Sequence, residues 1–199
     1  MTVSDINYDR SMARWEPGSR GRLEQAAFEL YGERGFEHTT VAEIAERAGL
    51  TERTFFRHYA DKREVLFAGS ADLQELLVST VAGAGDDVAP LDAVAAAIEA
   101  AGARLDERRE RAWQRHALIA ANAELHEREL VKLAALAAAV AGALRARGVE
   151  EPAASLTAEA GIAVFRLAVE RWAGEADKRS LPQIVRDSFE QLKAVTAGR

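Results

Sequence analysis

Apolar residues in this chain recur every three or four positions and nowhere alternate with period two, so they can be buried only along one side of helices. Leu23, Ala26, Ala27, Leu30 and Tyr31 set the pattern. Ala, Leu, Glu and Arg dominate, and the β-branched runs that would favour strands are missing. Hydrophobic residues make up 48% of 199, enough for a proper core. The chain is therefore expected to be all-α. Beyond a linker-like loop at 82–90, helices are expected near 91–106, 108–122, 124–147, 152–173 and 181–196. Gly148 and Gly174 mark stops, and Pro152 and Pro182 lie near the starts that follow.

The first third carries denser punctuation. A polar arm, residues 1–17, ends at Pro17-Gly18, and the first helix ends at Gly35, a left-handed cap. Thr40-Val41-Ala42-Glu43 is a capping box that opens a short helix through Val41, Ile44, Ala45 and Ala48. Gly49-Leu50 makes a tight turn, and Thr51 caps a third helix over 52–59 with Phe55 and Tyr59 facing inward. Asp61-Lys62-Arg63-Glu64 reads as a second box, launching a longer helix through Val65, Leu66, Leu73, Leu76 and Leu77. Two short helices joined by a glycine turn and packed on a longer one describe a helix-turn-helix. The expected organisation is an arm at 1–17, a three-helix DNA-binding domain at 18–63, and a larger helical domain at 64–199, to which the family resemblance given below assigns regulation and dimerisation.

Composition excludes several classes. The chain has no Cys, hence no disulfide, thiolate metal site or cysteine nucleophile, which fits a cytoplasmic protein. His116 and His126 are not at the i, i+3 or i+4 spacing of a metal pair, so no metal or other cofactor is expected. There is no phosphate-cradling glycine loop, no G-x-S-x-G elbow and no H-E-x-x-H, so no enzyme is expected. Residues 1–10 lack an apolar signal core, and the longest uncharged apolar stretch, 133–144, is 12 residues against the roughly 20 that span a bilayer, so no membrane partner is expected. Net charge is −6, and residues 1–63 hold 10 basic against 11 acidic side chains. Any case for nucleic acid rests on where the basic groups lie, not on their number.

Residues 18–67 closely resemble the DNA-binding domain of the tetracycline-repressor (TetR) family. The resemblance is carried by Glu33-Arg34-Gly35-Phe36, Thr40-Val41 before Ile44-Ala45, and Ala48-Gly49-Leu50-Thr51. Thr54, the aromatics at 55, 56 and 59, and Asp61-Lys62-Arg63-Glu64-Val65-Leu66 complete it. Its C-terminal style resembles that of actinobacterial regulators, mycofactocin-type ones among them. The resemblance implies a one-component repressor that leaves a palindromic operator when a small-molecule effector binds.

With Leu50, Phe55 and Tyr59 inward, Glu52, Arg53, Phe56 and Arg57 project from the other side of the third helix. A major groove admits one helix, and an arginine fork there can bind guanine O6 and N7, which makes Arg53 the candidate base reader. Glu52 can accept from a cytosine amino group, or select against other sequences beside phosphate. Thr40, Thr51, His58 and Lys62 match positions that touch phosphate in the resembled family. Phe56 stands where the family usually has Tyr, leaving an apolar contact with a thymine methyl in place of a phenolic bond to phosphate. Arg20, Arg22, Arg34 and Arg47 are opposed by Glu24, Glu33, Glu43 and Glu46, so that most of them read as surface pairs.

The helix over 152–173 carries two apolar stripes, Leu156-Ala160-Ala163-Leu167 and Ile162-Phe165-Val169-Trp172. A helix apolar on two sides packs against two neighbours. In the resembled family the last two long helices form a four-helix bundle with a second subunit. A homodimer interface is expected accordingly from Leu156, Ala160, Ala163, Leu167, Ile184, Val185, Phe189 and Leu192. Trp113, His116, Asn122, Phe165, Arg166 and Trp172 are candidates to line an effector pocket. Residues 107–111 read as a solvated, self-paired helix start. The reading from a different class is a helical ligand-binding or adaptor protein whose helix-turn-helix is non-functional; acidic side chains or a partner covering the recognition face would favour it.

Overall fold

The computed structural model describes residues 18–174 and 179–198, so the expected arm at 1–17 lies outside the described residues. The chain divides into two compact units between Val65 and Leu66. Among the described residues all regular structure is helical.

The first unit contains α1 (Ser19–Arg34), α2 (Val41–Arg47) and α3 (Glu52–His58). Leu23, Ala26, Ala27, Leu30 and Tyr31 are all buried, so the periodicity of α1 identifies its inner face correctly. They meet Phe36, Ile44, Ala45, Phe55 and Tyr59 in one small core, where the rings of Tyr31 and Phe36 touch edge to face at 5.3 Å. Burial raises the Tyr31 phenol well above its ordinary range, and its hydroxyl donates to the Lys62 carbonyl at 2.7 Å.

The fourth helix differs from expectation. Asp61 does cap, accepting from the backbone N–H groups of Arg63 (2.8 Å) and Glu64 (3.2 Å). What it opens is a single 3-10 turn, Glu64–Phe67, and α4 (Ser70–Ala82) starts only after Gly69. Glycine disfavours helix interiors, and here it separates the two pieces. The stretch Glu64–Ala82 is by length and composition apolar enough to cross a membrane; 28% of its apolar window is buried, and its Leu77 and Val81 lie fully buried in the core of the second unit.

The second unit continues with α5 (Pro90–Asp106), α6 (Arg109–Ala121), α7 (Ala123–Ala146), α8 (Ala153–Ala173) and α9 (Leu181–Thr196), each starting within two residues of its expected position. α5 is the hub, packed against α4, α8 and α9, while α7 packs on α4 and α8. Its inner face is mostly Ala and Val, which keeps the helices close. Gly161 shows how close: a Cβ added there would overlap Val94 Cγ1 on α5.

Gly161→Ala should therefore destabilise the second unit although it removes a poor helix former. The propensity gain is about 0.5–1 kcal/mol, whereas overpacking a tight contact costs about 1–3 kcal/mol. Thermal unfolding should show a net loss, and Val94→Ala in the same chain should relieve most of the overlap; an increase in melting temperature for Gly161→Ala alone would show that the α5–α8 contact is looser than described.

Candidate DNA-binding face

The face is built by two caps and a turn. Thr40 Oγ1 accepts from the Glu43 backbone N–H at 3.2 Å, and the Glu43 carboxylate accepts from the Thr40 backbone N–H and hydroxyl, both at 2.8 Å. The expected capping box is thus complete. Gly49 adopts φ +64°, a left-handed conformation that suits glycine, and the Leu50 backbone N–H donates to the Ala45 carbonyl at 2.8 Å. Thr51 then caps α3 by accepting from the Thr54 backbone N–H at 3.2 Å.

Phe55 and Tyr59 anchor α3 from beneath. Phe55 is fully buried, and the Tyr59 hydroxyl donates to Glu24 on α1 at 2.8 Å. Burial, and next the hydrogen bond to Glu24, raise the Tyr59 phenol above its usual range. Glu52, Arg53, Phe56 and Arg57 all point to solvent, and Phe56 is 54% exposed. An apolar ring that exposed, flanked by two arginines, marks a contact surface. Thr54 is half-buried against Thr51, and His58 is exposed with its Nε2 2.9 Å from Ser19 Oγ.

Ion pairing separates the arginines of this unit into two sets. Arg20 pairs with Glu24, Arg34 with Glu43, and Arg47 with Glu33 and Glu29. Among the described residues Arg53, Arg57 and Arg22 make no ion pair. The Arg22 guanidinium lies 4.0 Å from where a Cβ on Gly49 would stand, so it flanks the helix-turn-helix turn. No carboxylate of α1 is three or four residues from Arg22, the spacing at which side chains meet along one helix.

Lys62, expected to touch phosphate, has its ammonium engaged within the chain: it donates to the carbonyls of Phe36 (2.9 Å), Glu37 (3.2 Å) and Thr39 (3.0 Å) and lies 4.4 Å from the centre of the Phe36 ring. Lysine has three donors, and all three are engaged. The side chain clasps the turn that leads into Thr40.

Of the six expected pocket residues, the structure brings Trp113 and Trp172 together, their rings meeting edge to face at 5.9 Å. Trp172 is fully buried, with its indole N–H donating to Asp106 at 2.9 Å, and Phe165 is buried in the core. Arg166 is an exposed partner of Glu170 at 2.7 Å, and the half-buried Asn122 donates to the Leu118 carbonyl of the preceding helix. His116 is half-buried and Trp113 is 40% exposed. A groove of about 220 Å³ lies elsewhere, between α7 and α8, lined by alanines with Arg145, Ser155 and Glu159. Arg109 is no solvated helix start: its guanidinium stacks 4.9 Å from Trp113 and 5.2 Å from Trp172.

The expected interface residues also divide. Leu156 is 66% and Leu167 48% exposed, Ala163 is exposed and Ala160 half-buried, whereas Ile162, Phe165 and Trp172 on the other stripe are buried. Ile184, Val185 and Phe189, expected at the interface, are at most 2% exposed, and Leu192 packs against the same core. Side chains buried within their own unit cannot meet a partner, so α9 contributes to the core through these residues. Its outer face is tied to α5 by Arg186–Glu99 and by Lys193–Asp92 at 3.0 Å.

Family comparisons agree with this geometry. Residues 24–68 match the model of bacterial regulatory proteins of the tetR family, and residues 88–197, more than half the chain, match that of the MftR C-terminal domain. The chain belongs to the TetR family. It is a transcriptional regulator of helix-turn-helix type. It is 39% identical over 84 residues to the HTH-type transcriptional regulator TcmR of Streptomyces glaucescens, an alignment covering 41% of this chain and 36% of TcmR, so the chain matches about a third of that relative's length. The Thermus thermophilus FadR repressor, solved with lauroyl-CoA, superposes with a TM-score of 0.56 at 25% identity over 87% of this chain and 93% of FadR. A SmeT–triclosan complex shares the fold, with a TM-score of 0.66 at 21% identity over 90% of this chain and 91% of SmeT.

Two measurements check the clasp and the box. Lys62→Ala should lower stability by about 1–3 kcal/mol, the loss of charge-assisted hydrogen bonds, and leave the salt dependence of DNA binding unchanged; a salt slope flattened by about one would restore Lys62 as a phosphate contact. The Thr40 N–H, then its hydroxyl, hold the Glu43 carboxyl below its ordinary value. A depressed carboxyl stabilises the fold above its unfolded pKa of about 4.3 and loses that contribution as pH falls through the folded value. Acid unfolding of Glu43→Gln should accordingly be less steep in that window than that of the unaltered chain.

Proposed function

We propose that this regulator is a cytoplasmic repressor, binding a near-palindromic operator as a homodimer and released by a small-molecule effector. The observation that carries the reading is the exposed face of α3, where Arg53 and Arg57 stand without ion pairs beside Phe56. Leaving cations unpaired in an acidic chain favours a polyanion as their partner. The adaptor reading needs that face covered or neutralised, and the flanking Glu52 alone does not neutralise two arginines. Arg53 reads a guanine edge, Arg57 and Arg22 meet phosphate, and Phe56 packs on a thymine methyl. Thr40, Thr51, Thr54 and His58 lie at the edge of the same surface. A two-fold dimer presents two such helices, which matches a palindrome.

Arg53→Ala should cost about 1–3 kcal/mol and relax preference at one base pair in each half-site, whereas Arg57→Ala should weaken all sequences alike. Binding of both variants to a panel of single-base operator changes decides it; uniform loss by both would remove Arg53 as a base reader.

The effector is a small, largely apolar molecule taken up by the second unit. The FadR relative was solved with an acyl-CoA, which supports this class of ligand. Operator affinity measured with and without medium- and long-chain acyl-CoA should fall roughly 5–150-fold, the usual range of such coupling. An unchanged affinity across the series, with ligand binding seen by calorimetry, would separate uptake from release.

A further inference from the structure

The side chain of Phe56 has neither donor nor acceptor, and that narrows what it can recognise. In the major groove the base pairs display donors, acceptors and one apolar group, the C5-methyl of thymine. Cytosine has the same ring position and becomes apolar there when it is methylated. An apolar side chain that faces the groove therefore tells base pairs apart through a methyl group at C5. We propose that Phe56 reads a pyrimidine C5-methyl in the base pair next to the guanine read by Arg53, and that 5-methylcytosine serves there as thymine does. This rests on the DNA reading above and names the chemical group and the base step that α3 recognises.

The ring is held in place for such a contact. It meets the fully buried ring of Phe55 edge to face, with 5.5 Å between centres and 82° between planes. One edge is thus braced on the core while 54% of the residue stays open to solvent. Arg53 lies three residues earlier, so the two exposed side chains leave α3 on the same face. Three residues of helix rise about 4.5 Å, against about 3.4 Å from one base to the next along a strand. In a helix lying along the groove, Arg53 and Phe56 accordingly address neighbouring base pairs.

The missing hydroxyl matters as much as the ring. A phenol at this position would add a donor for phosphate, a gain shared by every sequence. Phenylalanine forgoes that gain, so what its ring contributes depends on the methyl opposite it. Burying one carbon accounts for a roughly fourfold change in affinity. A two-fold operator presents one such methyl in each half-site, and separated positions add, so removing both lowers affinity roughly 15-fold.

The test uses the full chain and a duplex that it selects from a randomised pool. Each thymine in turn is replaced in both half-sites by deoxyuridine, which removes the methyl and keeps every hydrogen-bonding group. At one position affinity should fall roughly 15-fold. That position should adjoin the base pair whose preference Arg53→Ala relaxes. With cytosine placed there opposite guanine, methylation at C5 should raise affinity by the same factor. Both methyl effects should shrink to within twofold in Phe56→Ala, a change at an exposed position whose fold is checked by circular dichroism. A loss under twofold at every thymine overturns the proposal while the DNA reading stands. So does a methyl effect that survives Phe56→Ala, or one that lies away from the Arg53 base pair. A chain that enriches no sequence from the pool overturns the DNA reading and the proposal together.

Discussion

Lys62 holds together the part of the chain on which DNA recognition depends. Its ammonium joins three carbonyls of the turn between α1 and α2, and its own carbonyl receives the Tyr31 hydroxyl. That turn has no regular hydrogen-bond ladder of its own, and unpartnered carbonyls at a helix junction are costly to bury. Once the turn is fixed, Thr40 stands where it can cap α2. The glycine turn then aims α3, and Arg53 follows. A side chain near the end of the unit thus fixes the start of the motif that precedes it in sequence.

The second unit works by the opposite means, through surfaces in place of clasps. Its core combines large side chains with many alanines, and Gly161 lies directly against Val94. Small residues let axes approach and gain dispersion contacts along whole helices. The same economy of side-chain size recurs on the outside of α8, where alanines face solvent between two leucines.

Element boundaries were legible in the sequence because they are written in local chemistry. Thr40, Glu43, Gly49, Thr51 and the proline and glycine positions of the second unit act within four residues, and the structure places helices where they indicate. The inner face of α1 was legible for the same reason. The destinations of long or symmetric groups were not. Lys62 can reach a phosphate or three carbonyls, and nothing in its neighbours states which acceptor is closer in space. Arg22 has glutamates nearby in sequence, but pairing depends on the helix surface. The apolar stripe of α9 looks identical whether it meets α5 or a partner subunit, and only the position of α5 resolves it. α4 began later than expected because the cap at Asp61 signals a start without specifying how many turns follow before Gly69.

The acidity of the whole chain and the cationic character of one helix face belong to one design. Carboxylates pair with Arg20, Arg34 and Arg47 in the first unit, while among the described residues Arg22, Arg53 and Arg57 make no ion pair. Net charge then limits nonspecific attachment to DNA, while unpaired arginines beside an exposed Phe56 retain local attraction for a groove. Under the proposed reading each additional phosphate contact would raise affinity for every sequence equally, so the difference between operator and bulk DNA falls to the arginine fork and the apolar ring of α3.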